Sequence, residues 1–180
     1  MINKKRIAII FALIIVAVSI IYILSYSQKT QNAPTTSQPI SLKEITPGIT
    51  TEQQVLQNLG IPIASNDGIL QYKSNSPARN NEISIQNGKV NFVKEIVSYK
   101  DTTITLTELN KQYGNANYLY GPDSVNGYFL YYHPEKGIAY LANPNTGTVL
   151  EIWHFPATTF DNFLKTWAKD YSTTPLKNQF

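Results

Sequence analysis

Two histidines are the only imidazole groups available to this chain for proton transfer or metal binding. His133 and His154 do not have the His-x-x-x-His spacing of a helical zinc site, and the chain contains no cysteine. His133 precedes Pro134 at a predicted turn, and His154 falls in a predicted strand. We interpret both as structural or surface residues, so the sequence predicts no metal site and no cofactor.

Glu95 and Glu151 are the carboxylates whose positions invite a catalytic interpretation, because each precedes an isoleucine in a repeated pattern. A pair of carboxylates can act as acid and base on a glycoside. We favour a simpler explanation, in which the repeat places a solvent-facing glutamate on a half-buried strand in each half. No serine lies in a glycine-flanked or Ser-x-x-Lys pattern, and no glycine-rich phosphate loop is present. The sequence predicts no catalytic residue. A cleft that buries Glu95 or Glu151 beside His154 would favour an enzyme.

Tyrosines are abundant in the second half of the chain, where they suggest a surface for recognising a partner. Tyrosine offers a large contact area at a small cost in conformational entropy. Strand alternation places Tyr128 and Tyr132 on one face and Phe129 and Tyr131 on the other. One set belongs to the core and the other can face a partner, and the pattern does not decide which. The candidate partner-binding surface is Tyr128, Tyr131, Tyr132, Tyr140 and Trp153.

Two short helices precede the strands that carry these residues. Each helix has a threonine three residues before a glutamine or glutamate, which is the spacing of a capping box, and each is closed by a glycine. These residues are Thr50, Gln53 and Gly60 in the first helix, and Thr105, Glu108 and Gly114 in the second.

A strand-rich stretch follows each helix. The predicted strands are 69–72, 82–85 and 90–99 in the first half, and 128–132, 137–141 and 148–155 in the second. Asp67-Gly68 and Asn87-Gly88 are hairpin turn signals. The fold class predicted is α+β, with two tandem helix-plus-antiparallel-meander repeats over 42–100 and 101–171. An amphipathic helix over 158–171, starting at Thr158 and Asp161, closes the second repeat, and 172–180 is a tail.

An apolar run from Ile7 to Leu24 precedes this domain and contains no charge. As a helix, it would span about 27 Å, close to the thickness of a bilayer core. Lys4, Lys5 and Arg6 before the run predict that residues 1–6 form a cytoplasmic stub and that 7–24 form a transmembrane signal-anchor. The rest is then extracytoplasmic, after a polar linker over 25–41. Secretion after cleavage of a signal peptide is the alternative.

The net charge argues against nucleic acid as a partner. The chain has 15 basic and 12 acidic residues, and three of the basic ones flank the apolar run. The remaining domain is neutral, whereas nucleic-acid binding requires a basic face. Because there is no cysteine, the exported domain must fold without disulfides.

The segment from Ile45 to Val55, with Thr46-Pro47-Gly48 before the first helix and Leu59-Gly-Ile-Pro62 after it, resembles a family motif. It is similar to that of the small outer-membrane-assembly lipoproteins of the BamE (SmpA/OmlA) type. A tandem pair of such units also resembles the β-lactamase-inhibitor-protein (BLIP-like) architecture. The resemblance covers 42–156 and implies a non-catalytic domain that binds proteins. The family's lipid-anchoring cysteine and the inhibitor's disulfides are absent here.

The sequence therefore predicts a non-catalytic, membrane-anchored module that binds another envelope protein and contacts the lipid bilayer through residues 7–24. An enzyme acting on cell-wall glycan or peptide and a sensor ectodomain are the alternatives. The enzyme requires a cleft in which polar groups converge. The binding module should instead show an aromatic sheet face without such convergence of polar groups.

Overall fold

The structure, a computed structural model, describes residues 42–97 and 104–175 of the chain. Its three helices are α1 (Glu52–Leu59), α2 (Leu106–Tyr113) and α3 (Phe160–Thr166). Its strands are β1 (Ala64–Asn66), β2 (Ile69–Lys73), β3 (Asn80–Gln86), β4 (Lys89–Ile96), β5 (Asn117–Leu119), β6 (Phe129–His133), β7 (Ile138–Ala142) and β8 (Val149–His154). Two short 3-10 turns cover Pro122–Asn126 and Pro134–Lys136.

Side-chain caps start all three helices. At α2, Thr105 Oγ1 accepts a hydrogen bond from the Glu108 amide at 3.2 Å, which confirms the predicted cap. At α1 the capping box is Thr51 with Gln54, one residue later than predicted. The predicted Thr50 is instead buried, and its hydroxyl accepts from the Thr46 amide at 2.8 Å. The box therefore shifts because Thr50 stabilises the preceding turn.

The closing helix is shorter than predicted. Thr159 caps α3 by accepting from the Asn162 amide, so the cap is one residue later than Thr158. The helix ends at Thr166, and the next turn continues as the Ala168 amide bonds back to the Phe163 carbonyl at 3.2 Å. Gly60 and Gly114 follow α1 and α2 with φ of 77° and 88°, which confirms both predicted helix ends.

All eight strands form one antiparallel sheet in the order β1-β2-β3-β4-β8-β7-β6-β5. Each half is a meander, and the halves join where β4 pairs with β8 through Val93 with His154 and Ile96 with Glu151. The Val97 amide extends this pairing by donating to the Leu150 carbonyl at 2.9 Å. We call the β4–β8 pair the seam.

Hydrophobic clusters cover both faces of the sheet. On the helix-pair face, Val55 of α1 packs over the first half, and Leu106 and Leu109 of α2 pack over the second. On the opposite face, which we call the α3 face, Phe163 lies in a cluster with Trp153 and other residues of the second half. The α3 cluster lies mainly over the second half of the sheet, and Phe92 of β4 packs against it from the first half.

The predicted fold class is wrong. The chain does not form two separate helix-plus-meander repeats, because β4 and β8 pair and merge all the strands into one eight-stranded sheet with three helices. Such pairing gives hydrogen-bond partners to two strands that would otherwise be edges. The prediction also missed β1 and β5, which have only three residues each and so too little pattern to detect.

The predicted membrane segment 7–24 and linker 25–41 lie outside the described residues, as does the boundary between the predicted repeats at 100 and 101. None of the helices in 42–97 and 104–175 has the length and apolar composition required to cross a bilayer, so the transmembrane helix in the predicted fold class is not among the described elements.

Candidate binding groove

A groove of about 710 Å³ lies on the helix-pair face over the seam. Its walls come from the loop at 42–47, from Ile104 and α2, and from the segments 136–138 and 152–157. These segments are distant in sequence and meet because the seam brings the two halves of the sheet together. We call this cavity the seam groove.

Glu95 and His154 lie at the floor of the seam groove. Glu95 pairs with Ile152 and Val93 with His154, so Glu95 and His154 are diagonal neighbours on the same face. Diagonal neighbours in an antiparallel pair are about 7–8 Å apart. Both residues are partly buried. The sheet register therefore places one carboxylate and one imidazole side by side.

His154 is held neutral by its surroundings. Burial lowers the pKa of the His154 imidazole below its ordinary value of 6.5, because the charged form loses hydration. A neutral imidazole offers one N–H donor and one nitrogen acceptor. At neutral pH the floor therefore presents a hydrogen-bonding group without positive charge.

Backbone contacts hold the walls in place. The Phe155 amide donates to the Gly137 carbonyl at 3.0 Å, and Gly137 has φ of 68°. A Cβ at Gly137 would lie 2.2 Å from the Phe155 carbonyl oxygen, so only glycine permits this approach. At the end of α2, the Lys136 ammonium donates to the Tyr113 carbonyl, which satisfies an otherwise free helix-terminal acceptor.

The lining of the seam groove is mainly apolar. Leu42, Ile45, Ile104, Leu109 and Ile138 contribute to it, whereas Gln112 and Lys43 are polar and exposed. Thr46, Glu95, Lys136 and His154 also line the groove, so several polar groups lie among the apolar ones. Among the described residues, no group of three His, Asp or Glu side chains is placed to hold a metal ion.

Glu151 lies on the opposite face of the sheet from Glu95. It pairs with Ile96, one residue further along β4, and successive residues point to opposite faces. Its carboxylate accepts from the Arg79 guanidinium and, at 2.6 Å, from the Trp153 indole. The two glutamates therefore cannot act on one substrate as paired acids, and Glu151 ties the Arg79 loop to β8.

His133 lies outside the seam groove. It is buried, and its Nε2 is 3.2 Å from the Gly114 carbonyl oxygen. Its Nδ1 is 3.6 Å from the exposed Glu135 carboxylate. These contacts give His133 a structural role at the end of α2.

The predicted aromatic surface is divided between the two faces. Tyr131 and Tyr140 stack on each other under α2, with ring centroids 5.7 Å apart. Burial raises the pKa of Tyr140 to about 12, so its phenol stays protonated and donates to Asn110 Oδ1 at 2.9 Å. Trp153 is buried on the α3 face, where Tyr132 stacks on Phe160.

Tyr128 is partly exposed, just before β6. The five aromatic residues predicted as a partner-binding surface therefore do not form one surface, and four of them belong to packed clusters on opposite faces. The residues that do form a groove were missed in the sequence, except for Glu95 and His154. No local pattern joins residues as distant as Ile45, Gln112 and Pro156.

No family model, curated protein or solved structure matches this chain. The resemblance to the envelope-assembly lipoproteins thus stays a prediction from the motif at residues 45–62.

Proposed function

We propose that this protein is a membrane-anchored, extracytoplasmic binding module that holds an apolar peptide segment of another envelope protein in the seam groove. The observation that carries the proposal is the groove itself, in which apolar side chains surround a floor formed by the Glu95 carboxylate and the neutral His154 imidazole.

The dimensions and chemistry of the groove suit a short peptide segment. Its volume of about 710 Å³ lies within the usual range for ligand pockets. Apolar side chains of the occupant would contact Ile45, Ile104 and Leu109. A peptide backbone offers both N–H donors and carbonyl acceptors. The neutral His154 ring and the Gln112 amide can each match both kinds of group.

We favour binding over catalysis because, among the described residues, the floor offers one carboxylate and one imidazole but no serine or cysteine nucleophile. Glu95 is partly exposed, whereas the carboxyl group of an acid catalyst is typically desolvated by burial. No serine of the described ranges lines the groove. A carboxylate and a neutral imidazole suffice to orient a peptide.

The sequence before the domain supports a location of the protein at the membrane. The uncharged run 7–24 is long enough to cross a bilayer, and the basic residues before it favour a cytoplasmic N-terminus. The polar segment 25–41 would then separate the groove from the lipid surface. Protease treatment of intact cells and of membrane vesicles tests this orientation, since the domain should be cleaved only from the outer side.

Site-specific photocrosslinking tests the occupant. A photoreactive amino acid at Gln112, which lines the groove, is compared with one at Thr107, which is exposed on α2 away from it. In intact membranes the Gln112 position should crosslink to an apolar segment of one envelope protein. A synthetic peptide of that segment should bind at least tenfold more weakly to the full-length Gln112→Trp protein than to Thr107→Trp. Equal adducts at both positions, or equal binding to both variants, would contradict the proposal.

A glycan- or peptide-cleaving enzyme is the second candidate, because Glu95 and His154 share the floor. If the pair transfers protons, Glu95→Gln and His154→Gln should each reduce the release of fragments from purified cell wall by 100-fold or more. If the protein is a binding module, the wild-type protein should release no fragments. Release that depends on both residues would establish the enzyme instead.

A further inference from the structure

A small cavity lies on the α3 face, on the side of the sheet opposite the seam groove. It has a volume of about 260 Å³. Strands β2, β3 and β4 form its floor, and the end of α3 with the residue that follows forms its wall. We call it the α3-face pocket. Its lining includes Ile69, Glu82, Ser84, Asn91, Phe92 and Trp167.

An irregularity in the pairing of β3 with β4 places Asn91 in this pocket. Ser84 pairs with Phe92, whereas the next residue of β3 pairs with Val90. Asn91 is therefore an extra residue without a partner on β3, which is the definition of a β-bulge. Successive residues of a strand normally point to opposite faces, yet Asn91 and Phe92 both line the pocket. Bulges re-aim side chains in this way and are frequent next to functional sites.

The polar groups of the pocket are a hydroxyl, an amide and a carboxylate. Ser84 and Asn91 are partly buried, and within residues 42–97 and 104–175 neither side chain has a hydrogen-bond partner. The Glu82 carboxylate accepts from the Lys94 ammonium at 2.8 Å, and its remaining lone pairs can accept further hydrogen bonds. The pocket thus offers donors and acceptors, and the charge of Glu82 is balanced by Lys94.

The apolar groups of the pocket are held in place by packing. The Trp167 ring stacks on Phe155 with ring centroids 4.9 Å apart, and the Phe92 ring meets Trp153 edge-on at 5.5 Å. Both Trp167 and Phe92 are only partly buried, and Ile69 is 39% exposed. Part of each side chain is therefore available to a ligand without a rearrangement of the core.

The position and chemistry of the pocket restrict its occupant. Strand β3 already pairs with β2 and β4, so the floor cannot accept an added strand, and side chains alone contact the occupant. A wholly apolar occupant would remove water from Ser84 and Asn91 without replacing its hydrogen bonds, which is unfavourable. The occupant that matches is an uncharged molecule with an apolar face and several polar groups around its rim.

We propose that the α3-face pocket binds one sugar ring of an uncharged glycan. The C–H groups on one face of a pyranose ring form an apolar surface that can lie against the exposed part of Trp167 or Phe92. The hydroxyls at its rim both donate and accept, as Ser84 and Asn91 do.

The Trp167 indole is consistent with this occupant. Its Nε1 is the one buried side-chain polar atom of the described residues that lacks a hydrogen-bond partner, and such groups are rare in folded proteins. A sugar hydroxyl next to the ring would give this N–H the acceptor that the protein lacks. The glycan site is additional to the peptide site in the seam groove and lies on the other face of the sheet.

Isothermal titration calorimetry of the full-length protein tests the site, with tri-N-acetylchitotriose and cellotriose as probes. The detergent must have no sugar headgroup, because such a headgroup would compete. The wild-type protein should bind at least one of the two probes. Asn91→Ala should weaken this binding at least tenfold. Asn58→Ala, which removes an exposed amide on α1, is the matched control and should bind as the wild-type protein does. Circular dichroism verifies that both variants keep the fold.

The variant Gln112→Trp separates this site from the seam groove. It fills the groove and should leave binding of the sugar unchanged. The proposal is overturned if the wild-type protein binds neither probe, or if Asn91→Ala binds as tightly as Asn58→Ala. It is also overturned if Gln112→Trp abolishes the binding, because the sugar would then occupy the seam groove.

Discussion

Removing Arg79 should destabilise the protein more than its half-exposed position indicates. Arg79 lies in the loop between β2 and β3, and its side chain is 46% exposed, whereas the Glu151 side chain is 4% exposed. The two form an ion pair, and Glu151 also accepts from the Trp153 indole at 2.6 Å. The variant Arg79→Ala would leave a buried carboxylate with the indole as its remaining partner.

The size of the effect depends on which partner is buried. Loss of one partner from a buried ion pair costs about 3–5 kcal/mol, and an exposed pair contributes about 0–1 kcal/mol. Because water screens Arg79, we take about 3 kcal/mol for Arg79→Ala. Glu151→Gln keeps an acceptor for the indole and should cost about 1 kcal/mol. The double variant should also cost about 1 kcal/mol, since no buried charge is left unpaired.

Urea unfolding of the full-length protein in mild detergent, followed by tryptophan fluorescence, measures these differences. Trp153 is buried in the affected cluster, which makes it a local probe. Lys94→Ala is the control, because Lys94 pairs with Glu82 at 2.8 Å and both side chains are partly exposed; it should cost less than about 1 kcal/mol. A cost below about 1 kcal/mol for Arg79→Ala, or costs that simply add in the double variant, would refute the reasoning.

Three other perturbations follow from contacts in the core and groove. Tyr72→Phe removes the hydroxyl that donates to the Gly60 carbonyl at 3.1 Å and should lower the free energy of unfolding by about 1–2 kcal/mol in urea titrations. Gly137→Ala should cost at least about 3 kcal/mol and lower Tm, because its Cβ would overlap the Phe155 carbonyl; an unchanged Tm would contradict the turn geometry. Burial lowers the pKa of His154 in the folded state, so the unfolded chain binds more protons as the pH falls through about 6.5, and stability decreases. The His154→Gln protein should show a flatter pH dependence of the unfolding free energy between about pH 7.5 and 5.5, and an identical slope would contradict this.

Local features of the fold could be predicted because neighbouring residues determine them. Asn87 and Gly88 have φ of 52° and 73°, as the Asn-Gly turn signal predicts. The Thr105 cap and the glycine ends of α1 and α2 depend likewise on short-range hydrogen bonds. The error of one residue at α1 arose because two adjacent threonines offer the same hydroxyl, and only the preceding loop decides between them.

The seam was not predictable, because it joins strands separated by more than fifty residues. Nothing in β4 or β8 alone distinguishes a central strand from the edge of a separate repeat. The packing of the aromatic residues could not be predicted from the sequence either. Alternation correctly separates Tyr131 from Tyr132, but both faces of this half of the sheet are covered, by α2 and by α3. A period-two pattern identifies faces and does not identify what packs on them.

Joining β4 to β8 places the seam groove at the centre of the sheet and leaves β1 outermost, three strands from β4. At about 4.8 Å per strand, β1 lies roughly 14 Å from β4 across the sheet. Residues that far apart, with no shared partner, usually act independently. Substitutions in β1 should therefore leave peptide binding in the seam groove unchanged, whereas Gln112→Trp should weaken it.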